Sequence, residues 1–165
     1  MKEIMLTKGR KAIIDDEDFE KLSHYKWCVD IKRLGIQEYA LTANWINGKS
    51  NNIMMHRLIM NLKKLDKRFI DHINGNGLDN RKINLRICTR SQNQWNSKKH
   101  KKCISKYKGV SWDKTRNRWQ CHIKFHYISI NLGRYKSETD AAIAYNNAAL
   151  KYHGDFARLN ELSET

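Results

Sequence analysis

The chain has 165 residues, enough for one ordinary domain or two small ones. Its 32 Lys and Arg against 17 Asp and Glu give a net charge of +15, which points to a polyanionic partner. Residues 1–100 hold 20 basic and 11 acidic residues (+9) and residues 101–165 hold 12 and 6 (+6), which excludes a neutral domain with a basic tail. No apolar run approaches the ~18 residues of a membrane span, and no signal-peptide pattern opens the chain. Cys28, Cys88, Cys103 and Cys121 are far apart, with no C-x-x-C. They read as reduced thiols of a cytoplasmic protein, with no structural zinc expected.

Glu3–Thr7 and Lys11–Ile14 read as short strands around a Lys8-Gly9 turn, and the acidic run Asp15–Glu20 opens a short helix through Leu22. Tyr39–Trp45 and Asn52–His56 bracket Asn47-Gly48, a hairpin signal because both turn positions tolerate positive φ. Residues 55–60 fit either a helix face or a strand exit. Phe69–His72 reads as a strand, and Asn74–Gly77 as a tight turn. With no proline in the chain, the charged run 97–108 reads as a solvated linker, flexible until DNA is bound. Three strands follow, Tyr107–Asp113, Arg118–His126 and Ile128–Tyr135. A helix then begins at Ser137, with Asp140 closing a capping box, and ends at Gly154. Ala141, Ala144, Tyr145, Ala148, Ala149 and Tyr152 form a small-residue stripe that can lie close on a sheet.

The chemistry concentrates in residues 71–96. Cutting a phosphodiester needs a water deprotonated near neutral pH, neutralised phosphate charge and a stabilised leaving 3′ oxygen. His72 is the nearby side chain suited to the first task without large tuning. Asp71 and Asn93 supply hard oxygen ligands for Mg²⁺ or Mn²⁺. Adjacent residues on a strand point to opposite sides, so a shared site requires a bend at Asp71-His72. Asn84 is placed to hold the turn through the backbone and so orient the imidazole. Arg81, Lys82, Arg86 and Arg90 are candidate phosphate clamps. His56 has a phosphate or a structural role, as does Asn96.

The pattern His56-Arg57-Leu58, Asp71-His72-Ile73-Asn74-Gly75-Asn76, Leu78-Asp79-Asn80-Arg81, Asn84-Leu85-Arg86, Gln92-Asn93 and Asn96 resembles the phage and intron-borne HNH homing endonucleases. The resemblance implies a ββα-metal motif with His72 as general base, Asn84 as the middle residue of the motif's name, and Asp71 and Asn93 on one divalent ion. An uncharged Asn93 implies modest metal affinity.

In the third quarter of the chain, alternation puts Trp119, Cys121, Ile123 and Phe125 toward the helix. Arg118, Gln120, His122 and Lys124 fall on an open basic face suited to a DNA groove. The stretch 107–160, with Tyr107-Lys108-Gly109-Val110, Asn131-Leu132-Gly133-Arg134-Tyr135 and Gly154-Asp155-Phe156-Ala157-Arg158-Leu159-Asn160, resembles the plant ethylene-response-factor (Apetala) DNA-binding domain. That resemblance implies DNA contacts from Ser111, Arg116, Arg118, Gln120, His122, Lys124, Ser129 and Asn131. Ser111 and Ser129 stand where arginines are usual and Asn131 where Trp is usual, so the plant target sequence does not carry over.

The expected architecture is α+β. Residues 1–50 form an N-terminal β-rich scaffold and 51–97 a ββα-metal HNH core. Residues 98–106 are a basic linker, and 107–160 a three-stranded antiparallel sheet on one helix. The expected function is site-specific, metal-dependent hydrolysis of duplex DNA by a phage-encoded, cytoplasmic homing endonuclease. It nicks as a monomer or pairs on DNA. The rival is a non-catalytic DNA-binding regulator that keeps the HNH fold as scaffold.

Overall fold

The computed structural model describes residues 1–162 apart from 33–36, 47–48, 64 and 100–102, with backbone only at 32, 44–46 and 49–51. It divides into two units, Met1–Thr89 and Arg90–Thr165, each with its own core. Both are mixed α/β, built from small antiparallel sheets and few helices, as the α+β expectation holds at that level.

In the first unit β1 (Lys2–Met5) and β2 (Lys11–Ile14) form a hairpin through a 3-10 turn at Thr7–Gly9. Lys8 and Gly9 there have φ of 59° and 66°. β1 ends earlier than expected because Thr7 belongs to the turn, where its Oγ1 accepts from the Val29 N–H at 3.1 Å. The acidic run makes a 3-10 turn, Asp16–Asp18, before α1 (Phe19–Ser23). β3 (Cys28–Lys32), which no turn residues announce in the sequence, joins β4 (Gln37–Ile46) and β5 (Lys49–Met54) in the order β3-β4-β5. The Asn47-Gly48 turn lies outside the described residues. Residues 55–60 resolve as α2 (Met55–Ile59). β6 (Phe69–His72) pairs with β7 (Leu85–Cys88). Ile14, Leu22 and Met55 are fully buried and cluster with Val29 of β3 and Ala40 of β4, so hairpin, helices and sheet share one core.

The loop between β6 and β7 is tied down rather than free. Ile13 N–H donates to Leu78 O at 2.8 Å and Asn80 N–H to Ile13 O at 2.7 Å, so the loop adds to the edge of β2. At Gly77 a Cβ would lie 2.3 Å from Glu38 O and 2.6 Å from the Tyr39 ring; only a glycine lets the loop press against β4.

The second unit opens with α3 (Arg90–Trp95). The Trp95 ring stacks on His153 at 4.5 Å and 7°, and Lys108 Nζ donates to the carbonyls of Trp95 and Ser97. Burial pushes the Lys108 amine down to about 8. The segment expected to be a solvated linker is therefore packed from Ser105 on: Ser105 is 1 % and Tyr107 3 % exposed. Charge without apolar period hid these two residues.

β8 (Val110–Asp113), β9 (Arg118–Phe125) and β10 (Ile128–Tyr135) pair in the order β10-β9-β8. A bulge falls at Asn131/Gly133, where Gly133 has φ 113°. α4 (Glu138–His153) lies on one face, its Ser137 cap accepting from the Thr139 and Asp140 N–H groups. Its alanine stripe meets Cys121 and Ile123, both buried. Gly109, at φ 77°, sits where a Cβ would be 2.1 Å from the Tyr145 ring. Asn160 closes the unit, bonding both backbone groups of Lys108 and exchanging bonds with Asn146.

Candidate active site and nucleic-acid interface

β6 and β7 keep register through their last residues, with Asp71 opposite Arg86 and His72 opposite Leu85. The bend expected between Asp71 and His72 is absent. Strand pairing carries through His72 and the chain turns only afterwards, where Gly75 N–H donates to His72 O at 2.8 Å. Asp71 nonetheless acts on the His72 imidazole, its charge raising the ring's pKa against the effect of burial.

His72 is 5 % exposed and sits in a cluster of rings. His56 meets it edge-on at 5.1 Å, and Tyr39 lies 5.7 Å from His72 and 5.9 Å from His56. Its Nε2 lies 3.3 Å from Asn80 Oδ1. The amide oxygen only accepts, so Nε2–H donates and the ring's lone pair is left on Nδ1. Burial holds the His72 imidazole below its usual value, opposed by Asn80, Asp71 and Asp79. Asn80 is fully buried, and its Nδ2 has no partner among the described residues. The sequence analysis includes it in the HNH-like pattern but gives it no role.

His56, on α2, is more strongly affected. Burial, with His72 and Arg57 nearby, pushes its imidazole down to about 3. A ring that stays neutral at working pH is no cationic phosphate clamp, so of the two roles considered the packing against His72 favours the structural one.

Asn84, in the 3-10 turn Lys82–Asn84, is buried and spans the loop. Its Nδ2 donates to Asp79 O at 2.7 Å and its Oδ1 accepts from the Asn74 N–H at 3.0 Å. Asp79 is 2 % exposed and takes Arg81 at 2.7 and 2.8 Å and Asn74 at 2.8 Å. Arg81 lowers the Asp79 carboxyl below the usual range.

The candidate phosphate clamps of this unit are engaged internally. Arg81 pairs with Asp79, Lys82 with Glu17 and Asp18, and Arg86 with Asp71 through two bonds to Oδ2 at 2.7 and 2.9 Å. The acids that hold them are far away in sequence or hidden in turns, so a count of bases missed them. Asp71 is itself buried. Asn93 and Arg90 lie on α3 in the second unit and the buried Asn96 follows just after it, so the structure groups Asp71, His72 and Asn84 and describes Asn93 apart from them.

On the sheet of the second unit, cross-strand register sets Ser111, Gln120 and Arg134 in one row, and Ser129 and Lys124 in another. His122 and Asn131 make a third. All lie away from the buried Cys121 and Ile123. Gln120 Nε2 lies 3.1 Å from His122 Nε2. Arg118 donates to Asn117 O. Asn131 Oδ1 accepts from Gly133 N–H at the bulge. Asp113 on β8 binds Arg134 at 3.0 Å and Arg116 at 3.6 Å, and these bases hold its carboxyl below the usual range. Trp119, expected in the core, is half-buried and tilts edge-on to Trp112 at 4.9 Å.

Comparison with known proteins finds two domains in tandem, the first of which runs past Thr89 to the end of α3. Residues 54–95 match the HNH endonuclease family model and residues 105–155 the AP2 domain model, the Apetala-type fold. An uncharacterized HNH endonuclease of Acanthamoeba polyphaga mimivirus is 30% identical over 159 residues, covering 94% of this chain and 77% of that protein. Protein 3.8 of Escherichia phage T7 is 33% identical over 90 residues, 54% of this chain and 74% of the relative. No solved structure matches the chain. Among the described residues no helix is long and apolar enough to cross a membrane. With a nuclease motif and a DNA-binding module in tandem, and relatives that share most of their length with it, the chain belongs to the HNH endonucleases and carries an AP2 DNA-binding domain.

Proposed function

We propose that the protein is a homing-type endonuclease that nicks duplex DNA, with His72 as general base on the first unit and the AP2 sheet as the reading surface. The observation that carries this reading is the His72–Asn80 pair. Burial keeps the imidazole neutral, and the amide oxygen of Asn80 fixes the proton on Nε2. Nδ1 then takes the proton of the attacking water, and the imidazolium formed returns it to solvent. Asn84 and Asp79 hold the loop that carries Asn80, and Tyr39 and His56 fix the ring plane.

The family resemblance assigns Asp71 and Asn93 to one divalent ion. Hard carboxylate and amide oxygens suit Mg²⁺ or Mn²⁺, and the Arg86 pair on Asp71 fits modest affinity. When bound, such an ion neutralises the phosphate and stabilises the departing 3′ oxygen. Inversion at phosphorus with water attack leaves a 5′-phosphate and a 3′-hydroxyl. One such centre per chain gives a nick unless two molecules act together on DNA.

The test is supercoiled-plasmid cleavage with Mg²⁺, with EDTA, and with His72→Ala in parallel. Open-circle product should need the metal and fall about 10²–10⁴-fold in the variant, with DNA binding retained. Tight binding without cleavage under any divalent metal would instead favour a regulator that keeps the HNH fold as scaffold.

A further inference from the structure

The hairpin joining β9 to β10 is built against its own backbone preference. Phe125 pairs with Ile128, leaving a two-residue turn of His126 and Tyr127, with φ of 44° and 67°. Such turns take Asn-Gly because both positions must be left-handed, and a bulky Tyr there is a strained choice. Its side chain gains nothing from the fold in return, since Tyr127 is 92 % exposed and the neighbouring Ile128 66 %. Strain kept for the sake of an exposed aromatic marks a contact with something else.

The turn is also firmly mounted. His126 packs edge-on against Phe125 at 4.1 Å and against Trp95 at 6.2 Å, and Phe125 lies 5.4 Å from Tyr152 of α4. Beside it opens a cavity of about 550 Å³, lined by Tyr127, Trp95 and four polar residues of the reading face, Ser111, His122, Lys124 and Ser129. An aromatic tip, a rigid root and a mixed aromatic and polar recess at the end of a basic sheet are complementary to one partner in particular: a nucleobase displaced from its stack.

We propose that Tyr127 is a wedge that stacks on a base of the bound duplex, with the adjoining recess receiving the unstacked nucleotide. This deepens the AP2 reading and rests on it. The contact adds affinity with little dependence on sequence, because every base offers a π-face, and opening the stack eases the bending that closer wrapping needs.

The test uses full-length His72→Ala protein, which separates binding from cleavage, and a set of short mixed-sequence duplexes carrying 2-aminopurine at successive positions. Lys124→Ala serves as the control for the sheet face. The double change His126→Asn with Tyr127→Gly should raise the melting temperature, by relieving the turn, yet bind DNA roughly 5- to 150-fold more weakly. The 2-aminopurine fluorescence increase at one position should vanish in it and persist in Tyr127→Phe. Opposite signs on stability and binding separate a DNA contact from a structural residue. Weaker binding by Lys124→Ala with unchanged binding and fluorescence in the double variant would overturn the wedge and leave the sheet reading standing. Weaker binding without a fluorescence change at any position would refute the unstacking. Unchanged binding by both variants would remove the sheet reading and the wedge together.

Discussion

Replacing His56 by Gln should flatten the acid sensitivity of the first unit. His56 is charged below about 6.5 in the unfolded chain, but burial keeps it neutral in the folded protein down to about 3. Between those limits the unfolded chain binds more protons, so stability is whole above the upper value and is lost as pH falls toward the lower one. The full displacement corresponds to about 5 kcal/mol, of which about 2 kcal/mol is lost by about pH 5. His72, also shifted downward by burial, adds a loss of the same sign, and Arg57 adds to the depression at His56. The assay is hydrogen exchange of the β1 and β6 amides at about pH 7.5 and about pH 5, corrected for intrinsic rates, which reports the opening free energy of this unit alone. Wild type should lose at least about 2 kcal/mol between the two conditions, and His56→Gln should lose about 2 kcal/mol less than wild type. Equal losses in both proteins would refute the assignment of a buried neutral imidazole.

Asn80→Ala should cut cleavage about 10- to 100-fold and move the acidic limb of the kcat/KM profile to lower pH, because the Asn80 bond raises the imidazole's pKa; Asn80→Asp should move that limb to higher pH, and a profile unmoved in both would show that Asn80 does not act on His72. Gly109→Ala should destabilise the second unit by about 2–5 kcal/mol, through a left-handed backbone and a clash with Tyr145, read as lost amide protection in β9; unaltered protection would contradict the close approach. Trp95→Ala should weaken α3, which at six residues is too short to hold without packing. Cleavage should then drop while amide protection in β6 and β7 stays at the wild-type level, and wild-type cleavage would rule out a contribution of α3 to the reaction.

Much of the second unit was legible in the sequence because each element there obeys a single local rule. Alternation through Cys121 and Ile123 fixes β9, Ser137 and Gly154 bound α4, and the alanines at helical spacing name its buried face. β6 and the turn after it were legible for similar reasons. β3 and β7 were not, since neither is announced by turn residues and each is recruited by its neighbours' edges. Ser105 and Tyr107 lie in a stretch whose composition argues for solvent, and only tertiary packing buries them. At the candidate site, the sequence singled out Asp71, His72 and Asn84, which the structure places on β6 and the turn before β7. The partner that orients His72 was not legible, because Asn80 reaches it only after the loop has bonded to Ile13.

The same limit applies to charge. A net charge of +15 sets the long-range attraction to DNA whatever the pairing, since an internal ion pair removes one charge of each sign. It does not say which side chains touch phosphate. Arg81, Lys82, Arg86 and Arg134 each sit on a carboxylate, and a guanidinium held by two bonds to a buried acid would have to leave that acid uncompensated to reach DNA. On the proposed reading phosphate contact falls to exposed lysines such as Lys98, Lys114 and Lys124, whose flexible stems lose little by turning toward a strand. The paired arginines serve a different end. Asp71 and Asp79 flank the loop that positions His72, and their bases hold both carboxylates in place. Bases that look in sequence like a DNA-binding cluster thus brace the loop around His72, while the proposed reading leaves affinity to the sheet, its lysines and the hairpin at its end.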